Sequence, residues 1–215
     1  MGFIDFILDR NKAVLSDKTI LKYNKKGLLI EGELTPEQIQ PNSIDLTLGD
    51  TYKTLQPNMA YRINKNSDDD KLRFIDPKYD IIYRKYKFPN KSFLLMPGNF
   101  VLMASKEVLN IPNGILSFVQ GRSSIARLGI QTEQAGLIDA GFKGVITFEV
   151  CNQSNYPIML YEGMRVAQVY FFKAQKAKSI YGFDKGSKYY GQNVATGSDI
   201  NKDPEMVKLR KELIK

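Results

Sequence analysis

The strongest constraint on the fold is a series of short segments with two-residue periodicity between Ser43 and Phe172. In Ser43-Ile-Asp-Leu-Thr-Leu-Gly49, the apolar Ile44, Leu46 and Leu48 share one face. That is the pattern of a half-buried strand, which Gly49-Asp50 is expected to end. Further strands are expected at Ile81 to Tyr86, Lys91 to Met96, Phe100 to Ser105 and Ile115 to Val119, with turns at Pro97-Gly98 and Pro112-Asn113. Gly144 to Asn152 places Val145, Thr147, Glu149 and Cys151 on one side and Ile146, Phe148 and Val150 on the other. Pro157 to Leu160 and Arg165 to Phe172 complete the series. Strands at this spacing indicate an all-β barrel or jelly roll.

The flanks read differently. Residues 3–14 have the spacing of a short amphipathic helix, with Phe3, Phe6, Ile7 and Val14 apolar. Ser16 is placed to cap a second helix. Pro36 and Pro41 punctuate a loop, and the polar stretch Asn66 to Lys71 reads as another. From Tyr181 to Gly197 the chain is rich in Gly, Tyr, Ser and Lys with little apolar periodicity, so it reads as a mobile tail rather than core. Asp203 to Lys215 reads as a terminal helix with Pro204 at its first position. A single domain over residues 1–200 is expected, with 1–13 as an extension, 181–200 as the tail and 203–215 as a helical addition.

Composition then narrows the chemistry. The chain of 215 residues contains no His and a single Cys. No Ser-His or Cys-His nucleophile can be assembled, and no zinc site of the His or Cys kind. Zinc nucleobase deaminases are excluded on the same ground. Catalysis must rest on carboxylates, Lys, Tyr, Ser or Arg, or on an oxygen-ligated ion such as Mg²⁺. One Cys fits a reducing compartment. The N-terminal apolar run is broken by Asp5 and Asp9 and lacks a basic start, and no stretch approaches a membrane span. A cytoplasmic protein without a membrane partner is expected.

The net charge is +8 and the pI about 9.3. A basic chain suggests nucleic acid, but the Lys and Arg residues are scattered and no helix-turn-helix, zinc-finger or RNP pattern occurs. The bland reading is a solvated Lys-rich surface, and the other functional reading is a small polyanion such as a nucleoside triphosphate; a nucleic-acid partner is not expected.

Three clusters carry chemistry. Gln120-Gly-Arg-Ser-Ser-Ile-Ala-Arg-Leu-Gly129 is a strand end feeding an Arg-Ser-Ser helical start. It suits phosphate through free N–H groups and Arg122, but by itself reads first as a capped surface helix with two solvated arginines. Ala135-Gly-Leu-Ile-Asp-Ala-Gly-Phe-Lys-Gly144 sets Asp139 between Gly-containing turns, as a turn-former or a pocket-rim carboxylate. Glu149 is a carboxylate on an otherwise apolar strand; burying it costs several kcal/mol unless it is paired. It faces either solvent or a site.

Together these segments resemble the dCTP deaminase branch of the dUTPase superfamily. Gln40-Pro-Asn-Ser-Ile-Asp-Leu-Thr-Leu-Gly49, Gly163-Met-Arg-Val-Ala-Gln168 and Lys188-Tyr-Tyr-Gly-Gln192 supply further matching pieces in the same order, over roughly residues 15 to 200. The resemblance implies a distorted jelly-roll homotrimer with active sites at subunit interfaces, acting on dCTP or dUTP. It implies Glu149 as the catalytic carboxylate with Ser123, Arg127 and Asp139, and substrate contacts from Arg122, Ser124, Gln168, Tyr181, Lys188 and Gln192. Mg²⁺ is implied with the triphosphate, and zinc is not. Deaminase-only members resemble Ala-His-Arg-Ile-Asp where this chain has Ala135-Gly-Leu-Ile-Asp139, so the resemblance is greatest to the bifunctional, dUMP-forming branch. A deaminase giving dUTP, a plain dUTPase, and a catalytically idle regulatory or nucleic-acid-binding relative are the other readings. Residues 1–13, 52–90 and the helix from Asp203 fall outside the pattern.

Overall fold

The structure, a computed structural model, describes residues 13–62, 71–132, 134–182, 184 and 186–212. Helix α1 (Asp17–Asn24) leads into β1 (Leu29–Glu31), a 3-10 turn at Pro36–Gln38 and the short β2 (Ile39–Gln40). Next come β3 (Ser43–Gln56), β4 (Met59–Arg62), β5 (Lys71–Phe74), β6 (Ile82–Lys87) and β7 (Ser92–Leu95). They are followed by β8 (Phe100–Asn110), β9 (Ile115–Gly121), the single helical turn α2 (Ser123–Ala126), β10 (Ile130–Gln131), β11 (Leu137–Ile138) and β12 (Lys143–Asn152). Then β13 (Ile158–Tyr161), β14 (Arg165–Lys173) and α3 (Pro204–Glu212) close the described chain. The all-β expectation holds.

Every strand pair among the described residues is antiparallel. The main sheet has the order β10-β12-β8-β3-β14-β9-β11, with β1 added on β8 and β2 and β6 on β3. The strands alternate, and one set of side chains turns inward. Leu46 and Leu48, Val101 and Met103, Phe148 and Val150, and Val169 and Phe171 are each at most 2% exposed. Burying a side chain of this kind stabilises by roughly 1.5–3 kcal/mol. The small β7-β13 sheet closes onto the main one through Tyr52 and Phe93, whose rings lie 4.1 Å apart.

Gly49-Asp50 proves to be a bend rather than an end. β3 runs 14 residues, pairing with β14 from Ser43 to Thr47 and with β6 from Thr51 to Gln56. Its register against β8 shifts between Leu48 and Tyr52. The strand therefore passes from one half of the sheet to the other at the glycine, a common use of Gly inside strands. Nor is its first half only half-buried, because Ser43 and Asp45 on the opposite face are 4% and 0% exposed.

The N-terminal expectation is overturned where it can be seen. Residues 3–12 of the expected helix lie outside the described residues. At its end, Val14 instead forms an antiparallel bridge to Phe172. The Leu15 amide donates to the Phe171 carbonyl at 2.9 Å, and that of Lys173 to the Ala13 carbonyl at 2.7 Å. β3 stops pairing at Tyr170, so the edge of β14 beyond it has open backbone groups, and an extended segment satisfies them. Ser16 does occupy the N-cap position of α1 with extended backbone, though its hydroxyl caps no backbone amide. Most of the expected loop at Asn66 to Lys71 also lies outside the described residues.

The tail reading is corrected too. Residues 191–196 dock on the outer face of β12 and β8. The Gly191 amide donates to the Lys143 carbonyl at 2.7 Å, and that of Val145 to the Gln192 carbonyl at 2.9 Å. Thr196 N–H donates to Thr147 Oγ1 at 3.0 Å, and Ala195 is buried against Leu102, Ala104 and Val145. Such docking uses backbone groups and small side chains, so it leaves no periodic signal in the sequence. Beyond it, Asn201 donates to Asp80 at 2.8 Å and accepts from Arg210 on α3. None of the described helices is long and apolar enough to cross a membrane.

Gly144 makes this docking possible. Its φ is +143°, and a Cβ there would lie 2.8 Å from the Gln192 carbonyl oxygen. Gly144→Ala is expected to cost about 1–3 kcal/mol in a urea melt. It should also make residues 187–203 the first point of cleavage in limited proteolysis.

Candidate active site

Between the outer face of β8 and β12, the turn around β11 and the docked tail lies a cavity of about 480 Å³. Glu149 and Thr147 reach it from β12, Asp139 from the turn after β11, and Tyr181, Tyr189 and Gln192 from the tail side. Phe148 and Val150 are locked into the core, so the two-residue period points Glu149 outward. Its cross-strand neighbour is Leu102, only 5% exposed. The carboxylate is therefore half-buried over an apolar floor, and its Oε2 accepts the Gln134 amide at 3.2 Å.

Asp139 is exposed, and its carbonyl accepts the Phe142 amide at 3.2 Å, which makes a turn. Its charge is felt at Tyr181. Burial chiefly pushes the Tyr181 hydroxyl above the ordinary phenol range, and the neighbouring Asp139 pushes the same way, while the Tyr189 amide donating to it at 3.0 Å opposes. Gln192 is fixed by its Nε2 donating to the Val145 carbonyl at 2.6 Å. Thus four of the sequence-identified residues, Glu149, Asp139, Tyr181 and Gln192, meet in one cavity.

The remaining residues do not line it. Ser123, Ser124 and Arg127 are exposed on α2 and its C-terminal flank. Arg122 stands at the N-cap of α2, and its amide donates to the Val166 carbonyl at 3.0 Å. Its Nε lies 3.2 Å from Asp45 Oδ2, and its Nη1 donates to the Arg165 carbonyl at 3.2 Å. Gln168 is half-buried on β14, directly opposite Asp45 on β3 and Gln120 on β9. Lys188 pairs with Asp203 at 2.6 Å, which holds its ammonium above the usual lysine range. One chain therefore carries two surfaces: a carboxylate cavity, and an Arg-Ser-Ser edge next to Gln168.

Reading the sequence missed Asp45, Arg165, Tyr189 and Thr196. The signal for Asp45 was present, as a carboxylate inside the segment Gln40 to Gly49. Arg165 gave none, since its role appears only when β14 lies beside β3.

The antiparallel all-β architecture is the fold of a dCTP deaminase. In a solved structure of 2′-deoxycytidine 5′-triphosphate deaminase from Agrobacterium tumefaciens the same fold recurs with a TM-score of 0.56 at 22% identity, over 75% of this chain and 48% of that one. A family model described as dCTP deaminase-like matches residues 14–174. A curated relative from Methanosphaerula palustris, named dCTP deaminase, dUMP-forming, is 34% identical across 90% of this chain and 99% of its own length. Another of that name from Nanoarchaeum equitans is 37% identical across 88% and 98%. The chain belongs to the dCTP deaminase-like family.

Gly136 sets the wall of the cavity. The Val119 amide donates to its carbonyl at 2.8 Å, and a Cβ at Gly136 would lie 2.2 Å from the Val119 carbonyl oxygen. Gly136→Ala must push β11 away from β9. A loss of about 2 kcal/mol or more is expected in chemical denaturation, as for other overpacked sites.

Proposed function

We propose that the protein is a zinc-independent, dUMP-forming dCTP deaminase. It converts dCTP and two waters to dUMP, ammonia and pyrophosphate, which feeds the pyrimidine deoxynucleotide supply of the cytoplasm. The observation that carries this reading is the convergence of Glu149 and Asp139 on one cavity. The names of the relatives from Methanosphaerula and Nanoarchaeum support it.

Glu149 takes a proton from water as the oxygen adds to C4 of cytosine, and delivers it to N3. It then carries the second proton from the new hydroxyl to the amine, which leaves as ammonia while the C4 carbonyl forms. Ser123 holds the tetrahedral intermediate by hydrogen bonds, and Arg127 keeps Glu149 ionised between turnovers. Asp139 contacts the deoxyribose 3′-OH and orients a second water at the α-phosphorus. In-line attack there releases pyrophosphate. Arg122, Ser124, Gln168, Tyr181, Lys188 and Gln192 bind the nucleotide. Mg²⁺ arrives as part of the substrate, held by the triphosphate oxygens that suit it.

Ser123 and Arg127 lie outside the Glu149 cavity of their own chain, so the reading requires a homotrimer in which a neighbour supplies them. Mixing equal amounts of Glu149→Gln and Arg127→Ala subunits, each inactive alone, is expected to restore about a quarter of the sites on random cyclic assembly. No recovery after confirmed subunit exchange would place Glu149 and Arg127 of one site in the same chain.

The decisive assay incubates dCTP with enzyme and Mg²⁺. Ammonia with dUMP and pyrophosphate is expected, whereas dUTP as the only nucleotide product would mark a deaminase alone. No ammonia, with dUTP cleaved, would mark a dUTPase. Binding of DNA that weakens steeply with salt, with neither nucleotide turned over, would mark an idle relative. Glu149→Gln should lower ammonia release by about 10²–10⁴-fold with nucleotide binding retained. Asp139→Asn should keep ammonia release and shift the product towards dUTP.

A further inference from the structure

Asp45 lies at the centre of a charged knot next to the Arg-Ser-Ser edge. Its side chain is 0% exposed, in β3 between the fully buried Ile44 and Leu46. Two guanidinium groups converge on one of its oxygens: Arg122 Nε at 3.2 Å and Arg165 Nη1 at 3.0 Å from Oδ2. Gln40 Nε2 donates to the same oxygen at 3.4 Å. The other oxygen, Oδ1, is buried without a hydrogen-bond partner among the described residues.

We infer that Asp45 is a positioning residue, which presents Arg122 to the β- and γ-phosphates of the bound nucleotide. The inference rests on the proposed reading of Arg122 as a phosphate contact. One guanidinium would suffice to neutralise one carboxylate. Here two cations share it, and Arg165 also feels the Glu37 carboxylate, so Arg122 is the less fully matched cation of the knot, beside Gln168, where an anion can be received. The two arginines would repel each other without the carboxylate between them. The fork of Arg122 is partly oriented. Nε lies at ion-pair distance from Asp45 without a hydrogen bond, and Nη1 donates to the Arg165 carbonyl, which leaves the Nη2 edge for a ligand oxygen. Its side chain is 23% exposed. Arg165 is anchored in turn by donating to the Glu37 carbonyl, and thus braces the knot from β14. A guanidinium held in this way gives up little freedom when it binds phosphate.

The test compares Asp45→Asn, Arg122→Ala and their combination. It reads KM and kcat for dCTP and the inhibition constant of dUMP, which has the α-phosphate alone. Asp45→Asn should raise KM for dCTP about ten-fold, with kcat changed less than about three-fold and dUMP inhibition unmoved. The double variant should be no worse than Arg122→Ala. Equal weakening of dCTP and dUMP, or additive effects, would show a merely structural carboxylate and overturn the inference. Relief of the KM defect by raised Mg²⁺ would overturn it as well, since the carboxylate would then act on the ion. If Arg122→Ala leaves KM unchanged, the phosphate reading of Arg122 fails first and this inference with it. If only Asp45→Asn leaves KM unchanged, this inference alone fails. Should Asp45→Asn not fold, Arg122→Lys serves: it keeps the charge and loses the fork. It should show the same dCTP-selective rise, and an unchanged KM would overturn the role of the fork.

Discussion

The antiparallel pairing of β8 with β12 is the constraint on which the rest depends. Phe148 opposes Met103 and Val150 opposes Val101, and all four are sealed in the core. Because side chains alternate, the residues between them, Glu149 and Leu102, must share the outer face. A one-residue slip would bury the carboxylate and expose the phenylalanine, so the same apolar contacts that stabilise the sheet also aim the proposed catalytic group. The outer face is not bare. Leu102, Ala104 and Val145 form an apolar strip that the docked tail covers through Ala195, and that cover turns a sheet face into a cavity.

Charge is distributed to match. The net charge of +8 is not a single patch. Arg122 and Arg165 are drawn to a buried carboxylate, and Lys188 to Asp203 at the start of α3. Burial pushes the Asp45 carboxyl upward, and the two arginines pull it back. Exposed pairs of the Lys188 kind contribute little to stability. Their consequence is a cation held in a known place within the docked tail.

Much of the strand framework was legible from alternation alone, and so was Glu149, because a carboxylate inside a run such as Ile146-Thr-Phe-Glu-Val150 breaks the apolar composition. Asp45 was not. It occupies the polar phase of its strand, where solvent is the ordinary expectation, and its burial comes from partners such as Arg165, 120 residues away in the chain. The tail misled for the converse reason. Periodicity reports side-chain burial, and this segment is held by backbone hydrogen bonds and small residues. Residues at the expected N-terminal helix end joined β14, since an open strand edge outweighs weak local helical spacing.

By itself the sequence determined the all-β class, the exclusion of His-dependent nucleophiles and of His- or Cys-ligated zinc, and a list of candidate residues. These follow from residue identity and from a period of two, which are local properties. Only the tertiary structure decided that those residues divide into two surfaces of one chain, with Glu149 and Asp139 in a cavity and Arg122, Gln168 and α2 along another edge. Facing depends on register between distant strands and on what covers each side of the sheet, and neither is encoded in the spacing of any single segment.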